Sequence, residues 1–237
     1  LLNEVYKKEA KVGDKVIFFV PTEGYLFHLY QNLDKLDFEY VLPYPEQNLA
    51  EQVANKSRFY PLMEDIGISV PKTVSVNPEN YQIVLSEFDA NRKLFLKADD
   101  YYAFQTSDVE DPQKGYHAAN VQEAQDILNK VYPTYAGLFI VQQYIEGGDA
   151  AEYSIMGYRA TDGSISMVQA HALLSDRRPK WIGNHLVMVD SDREDLFTMA
   201  TKIVESTDYY GYFNFDFKVD EITEVPYALE LNPRLGR

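Results

Sequence analysis

Tyr212-Phe213-Asn214-Phe215-Asp216-Phe217-Lys218-Val219-Asp220 and, soon after it, Ala228-Leu229-Glu230-Leu231-Asn232-Pro233-Arg234 are the stretches on which the fold turns. In an extended strand successive side chains point to opposite faces. The first stretch therefore sets Phe213, Phe215 and Phe217 on one face and Asn214 and Asp216 on the other. The second sets Leu229 and Leu231 opposite Glu230 and Asn232. An acidic turn separates them, so an antiparallel hairpin is expected, with Asp216, Glu230 and Asn232 converging as an all-oxygen cluster. Hard oxygen donors of this kind suit Mg²⁺, which keeps water and phosphate oxygens among its ligands. Arg234 lies just beyond, where a cation could hold a phosphate. The competing reading of the same alternation is a solvated polar face whose acids Arg234 neutralises.

Upstream of the hairpin, Val16 to Pro21 reads as a buried strand closed by proline. Thr22 is placed to cap the helix that follows, and Phe38 to Leu42 reads as a second strand. This strand–helix–strand order predicts part of a parallel α/β lobe. Leu49 to Ile66 is helical in pattern and stopped by Gly67, and a fresh start near Asn55 or Ser57 would put Pro61 in a first turn. Leu94 to Lys97 is a short apolar strand ending in a lysine, and Asp99 to Gly115 has no periodicity and reads as a mobile loop. Asn120 to Glu123 and Ser191 to Glu194 resemble capping boxes for helices through Val131 and Val204. Leu138–Ile145, Ala151–Tyr158, Ile165–Leu174 and Leu186–Val189 read as strands.

Composition bounds the function. With 237 residues, 46% of them hydrophobic and 25% charged, the chain can bury a substantial core. A net charge of −15 repels phosphate backbones and argues against nucleic acid as a partner. No apolar run reaches the ~18–20 residues of a membrane span, and no signal peptide opens the chain, so the default location is cytoplasmic. The absence of cysteine removes disulfides, thiolate metal sites and thiol nucleophiles. No P-loop, dinucleotide glycine turn or nucleophile elbow occurs. His28, His117, His171 and His185 lack metal-ligand spacing and read as surface or satisfied core histidines. The abrupt start and the stop at Arg237 lead to the expectation of a piece of a longer protein.

Glu230-Leu231-Asn232-Pro233-Arg234, with Asp216 on the preceding strand, resembles the metal-binding signature of the ATP-grasp superfamily. Further signals follow in that family's order. Val141 to Gly147 is similar to its interlobe strand, in which backbone groups of Tyr144 and Ile145 would read the adenine edge and Gln143 stands where Glu is usual. Glu152 matches the residue that accepts from ribose hydroxyls, and Lys97 the phosphate-binding lysine. Lys56 matches an earlier lysine that family members place before the first helix of the grasp domain, and Gln113-Lys114-Gly115-Tyr116 the phosphate-covering loop, with one glycine fewer than the pattern. Taken alone, each is equally a core strand, a surface lysine or an ordinary loop.

The resemblance implies an α+β / α/β architecture in which two α+β lobes sandwich ATP, preceded by a partial parallel lobe. Expected boundaries are 1–50 for that first lobe, 51–145 for the linker helix and small lobe, and 146–237 for the large lobe. It also implies a carboxylate–amine (or carboxylate–thiol) ligase acting through an acyl phosphate, with small-molecule carboxylate and amine substrates. Mg²⁺, or Mn²⁺ in its place, would sit on Asp216, Glu230 and Asn232, while Arg234 and Lys97 would act on the transferred phosphate. Lys56, Lys114, Gly115, Gln143, Tyr144, Ile145 and Glu152 would hold the nucleotide, and Arg237 stands where some members place a further phosphate-contacting arginine. Lys56-Ser57-Arg58-Phe59-Tyr60, the connector Gly67 to Thr73 and the overall spacing are most similar to ligases of the D-aspartate type. That likeness implies an amino-acid or cell-wall-precursor substrate; a carbamoyl-phosphate-synthetase-like fragment is the alternative enzyme. A nucleotide-binding regulator without turnover stays open as an alternative, as does a homo-oligomer.

Overall fold

The phenylalanine alternation does what its period requires. In the computed structural model, which describes residues 1–11 and 13–236, Phe213, Phe215 and Phe217 all lie in the main hydrophobic core. The expectation at Arg237 falls outside the described residues.

The chain begins with α1 (Leu2–Glu9), followed by β1 (Val16–Ile17), α2 (Glu23–Tyr30) and β2 (Tyr40–Val41). β1 and β2 pair in parallel, as the strand–helix–strand order predicts. Thr22 caps α2 by accepting from the Tyr25 amide. Next come α3 (Gln47–Ala54) and α4 (Lys56–Asp65), broken at Asn55, whose side chain accepts from the Arg58 amide. That cap fixes the start of α4 at Lys56, so Pro61 falls inside the helix and not in its first turn. Gly67, at φ 67°, ends α4 in the left-handed region that glycine enters without a Cβ clash.

A four-stranded antiparallel sheet follows, built from β3 (Thr73–Val76), α5 (Tyr81–Leu85), β4 (Leu94–Ala98), α6 (Tyr101–Gln105), β5 (Tyr116–Ala118), α7 (Val121–Val131) and β6 (Phe139–Gln143). Its order is β3-β6-β4-β5. α7 presents Val121, Ala124, Leu128 and Val131 to this sheet, and Asn120 caps it through the Glu123 amide. The Asp99–Gly115 stretch, expected as a loop, contains α6, capped by Asp100. A helix this short leaves no measurable period in the sequence.

The second sheet is also antiparallel, in the order β11-β10-β7-β8-β9, from β7 (Glu152–Arg159), β8 (Ile165–Ser175), β9 (His185–Asp190), β10 (Gly211–Val219) and β11 (Pro226–Asn232). α8 (Glu194–Ser206) covers one face with Leu196, Ala200, Ile203 and Val204, and Phe59, Tyr60 and Met63 of α4 join the same core. The capping box expected at α8 does not form. Ser191 donates to Gln169 Oε1, which also accepts the Arg193 amide, so a buried glutamine takes over the cap's work. Each buried phenylalanine of β10 contributes about 1.5–3 kcal/mol from removal of apolar surface. Among the described residues no helix is long and apolar enough to cross a membrane.

Candidate functional site

Between the two sheets lies a cavity of about 620 Å³. Period-2 alternation aims its charged lining: Leu94, Leu96 and Ala98 of β4 enter the small core, so Lys97 faces the opening. On the other side Asp216 and Lys218 of β10, Glu230 of β11 and Glu152 of β7 line the wall.

Asp216 and Glu230 sit directly opposite each other in the β10–β11 ladder. A bulge follows Asp216, so Ala228 and Leu231 enter the core while Leu229, expected there, lines the cavity. Burial and then the neighbouring Glu230 push the Asp216 carboxyl up to about 7. Burial presses Glu230 in the same direction, but Lys56 and Lys97 outweigh it and hold that carboxyl below its ordinary value. The cause is local: Lys56 Nζ lies 3.4 Å from Glu230 Oε2. Of the two acids, Asp216 is therefore the one that takes up a proton first as the pH falls. Across the cavity, burial and the like charges of Lys56 and Lys114 pull the Lys97 ammonium down to about 7.

Asn232 lies two ladder pairs further along, opposite Asn214. Its Oδ1 accepts from Arg234 Nη2 at 3.1 Å, and neither residue lines the cavity. Arg234 instead reaches back to the first lobe, with Nε 2.6 Å from Glu23 Oε1 at the start of α2. Gly115 also stays outside the lining; a Cβ there would stand 2.2 Å from the Phe95 ring, so the loop backbone lies flat on that side chain. Lys114 does line the cavity and donates to Asn184 Oδ1, while Lys180 pairs with Asp111 at 3.4 Å. These contacts join the small-lobe loop to the β8–β9 connection.

The strand that crosses between lobes is tightly tied. The Gln143 amide donates to Lys72 O and the Tyr144 amide to Lys93 O. The Glu146 amide donates to Asp220 Oδ2 and the Gly148 amide to Glu221 Oε1. Gly147, at φ 136°, has no room for a Cβ, which would meet Ala151 Cβ at 2.5 Å. The Tyr144 amide is therefore not available to a ligand. Ile145, buried and lining the cavity, keeps an amide with no hydrogen bond among the described residues.

Glu152 is held by residues that sequence reasoning missed. Its Oε2 lies 3.0 Å from His185 Nε2, and its Oε1 lies 3.7 Å from Lys218 Nζ, which also sits 4.8 Å from the centre of the Tyr144 ring. Burial would raise Glu152, but the His185 hydrogen bond and the Lys218 charge leave it lowered; the same hydrogen bond raises His185. Lys218 was legible as the residue two beyond Asp216 on the same strand face. His185 offered no signal, because β9 lies far along the chain from β7.

The cavity of about 620 Å³ between the two α+β lobes thus carries cations on one wall and paired acids on the other. The chain belongs to the ATP-grasp family: the model of its ATP-grasp domain matches residues 53–236. The chain is 27% identical over 242 residues to the D-aspartate ligase of Enterococcus faecium (strain Aus0004), covering 100% of this chain and 56% of that protein. It thus spans about half the length of that relative. Among solved structures it is similar to a Staphylococcus aureus N5-carboxyaminoimidazole synthetase, with TM-score 0.67, 13% identity and 99% and 57% of the two chains covered. It is also similar to the D-alanine–D-alanine ligase of Coxiella burnetii, with TM-score 0.65, 16% identity and coverage of 96% and 61%. At these identities the structural likeness speaks for the fold.

Proposed function

We propose that this chain is the nucleotide-binding body of an ATP-dependent carboxylate–amine ligase. One observation carries the reading. Two facing acids, Asp216 and Glu230, stand across one cavity from Lys97, and burial together with like-charged neighbours drives Asp216 and Lys97 toward neutrality. A polyanion bearing a divalent cation satisfies both walls at once, which neither an anion nor a cation does alone.

The oxygen donors fit such a cation. Among the described residues no three His, Asp or Glu side chains gather into a metal site. Asp216 and Glu230 supply two carboxylates, and the ligand's phosphate oxygens and water complete a Mg²⁺ shell. Asn232 joins them if its carboxamide leaves Arg234. Bound there, Mg²⁺ or Mn²⁺ would neutralise phosphate charge. Lys97, Lys56 and Lys114 offset the remaining charge and orient the terminal phosphate, because phosphoryl transfer needs positioning and electrostatics more than covalent help. The Ile145 amide and Gln143 hold the base, and Glu152 accepts from the ribose.

The substrate carboxylate would attack the γ-phosphorus and release ADP, giving an acyl phosphate; an amine would then attack the acyl carbon, releasing phosphate and a proton. Arg234, leaving Glu23, is the cation available to the acyl phosphate. The likeness to a D-aspartate ligase supports an amino-acid carboxylate, and a supply of ATP supports a cytoplasmic setting. Calorimetric titration of Mg-ATP into the chain and into the Glu230→Ala, Asn232→Ala double variant tests the reading. Binding that needs Mg²⁺ and disappears in the double variant is expected. No binding by the folded chain would overturn it, and binding without phosphate release on addition of amino acids and amines would mark a nucleotide-binding regulator.

A further inference from the structure

Two residues of the cavity wall, Tyr101 on the small-lobe side and Ser175 on the large-lobe side, carry a buried hydroxyl with no partner among the described residues, and Ser175 is the one beside the Glu152–His185 pair. Ser175 ends β8 and is 7% exposed, and its Oγ is fully buried without a hydrogen bond. A buried hydroxyl left unpaired costs roughly 1–3 kcal/mol, so an orphan on the wall of a ligand cavity points to the ligand. Its backbone is fixed on both sides. The Ser175 amide donates to Asp149 Oδ2 at 3.0 Å, and Ser175 stands opposite His185 in the β8–β9 ladder. His185 is the residue that holds the Glu152 carboxylate.

The charges around Ser175 identify the part of the ligand it meets. Asp149 and Glu152 flank it, and the nearby cations are already engaged: Arg177 Nη2 lies 2.9 Å from Asp149, while His185 Nε2 and Lys218 Nζ lie 3.0 and 3.7 Å from the two oxygens of Glu152. This neighbourhood is close to neutral and carries two carboxylates, so it disfavours a phosphate and suits uncharged hydroxyls. The lysines that suit phosphate, Lys56, Lys97 and Lys114, influence the Asp216–Glu230 end of the cavity instead.

We propose that Ser175 is a ribose-contacting residue, sharing with Glu152 the recognition of the nucleotide's sugar hydroxyls and favouring a ribonucleotide over its deoxy forms. The assignment rests on the nucleotide reading of the cavity. Glu152, with both oxygens already approached by cations, accepts from one sugar hydroxyl, and Ser175 Oγ hydrogen-bonds the other.

The test is calorimetric titration of Mg-ATP, Mg-2′-deoxy-ATP and Mg-3′-deoxy-ATP into the full chain and its Ser175→Ala variant. Because Oγ has no partner among the described residues, the variant should melt at or slightly above the temperature of the unmodified chain. It should bind ATP about 3- to 10-fold more weakly. One of the two deoxynucleotides should bind both proteins equally, since each lacks one half of the lost contact. Equal weakening toward all three nucleotides would assign Ser175 a purely structural role and overturn the proposal, as would unchanged ATP affinity. A lowered melting temperature with unchanged selectivity overturns it too. Failure of the unmodified chain to bind Mg-ATP is a different result, and it removes the nucleotide reading itself.

Discussion

The two walls of the cavity are opposites that share one defect. The small-lobe wall buries a lysine among lysines, and Lys97 is drawn down to about 7. The large-lobe wall buries an acid against an acid, and Asp216 is pushed up to about 7. Neither wall is arranged for the stability of the empty protein. On each, burial and like charge outweigh the opposite charges nearby, and on the reading proposed above a metal–polyphosphate would supply the balance. Sites that bind or react commonly sacrifice stability in this way.

The largest effect should come from disarming the cationic wall. Lys97→Met removes a buried ammonium and keeps its aliphatic length. Mg-ATP affinity is expected to fall by about 30- to 1000-fold, the cost of losing one partner of a desolvated charge contact. The same variant should raise the stability of the nucleotide-free protein by about 1–3 kcal/mol. Lys97 has a folded value below its unfolded one, so it costs stability below pH 10.5, fully so once the pH is under about 7. Titration and thermal melting read the two halves together, and unchanged affinity would break the comparison outright.

Asp216→Asn makes the matching test on the acidic wall, with a smaller expected effect. Mg²⁺ dependence should weaken by about 10- to 100-fold. Stability without ligand should rise at pH 7 to 8 and match the unmodified chain near pH 4. The sign follows from the direction of the shift: a carboxyl with a raised folded value costs stability above its unfolded value of 3.8, and the cost is complete above about 7. A variant less stable at pH 8 than the unmodified chain would show that Asp216 is a structural partner.

The comparison sharpens further in proton exchange on binding. At pH 8, Asp216 is already ionised and Lys97 largely neutral, so magnesium-saturated ATP should drive net proton uptake by Lys97. At pH 6, Lys97 is charged and Asp216 protonated, so binding should release protons from the acid. Calorimetry in buffers of different ionisation enthalpy measures both, and a count that keeps one sign from pH 6 to 8 would contradict the opposed walls.

How much of this could be read in the chain depends on how local the cause is. The Phe213–Phe217 alternation, the Thr22 and Asn120 caps and the facing of Asp216 and Glu230 are set by neighbours in sequence, and they were legible. The features that escaped have distant partners. Ser191 lost its cap because Gln169, on another strand, reaches the start of α8 first. Leu229 turned to the cavity because a bulge broke the period. Arg234 meets Glu23 only because the first lobe folds back on the hairpin, and His185 meets Glu152 across two strands. The chemistry of each wall was thus partly visible, while the contacts that tune it were written in tertiary structure.

The smallest expected effect lies where the walls meet outside the cavity. Lys180 and Asp111 pair at 3.4 Å between the β8–β9 connection and the small-lobe loop, and both side chains are more than half exposed. An ion pair so open to water contributes about 0–1 kcal/mol and is screened by salt. Lys180→Ala should therefore leave the melting temperature nearly unchanged and alter Mg-ATP affinity by less than about threefold, with any difference gone at high salt. If the variant instead lost affinity as severely as Lys97→Met, the decisive charges would lie in the loops that cover the cavity. The contrast between its walls would then be secondary.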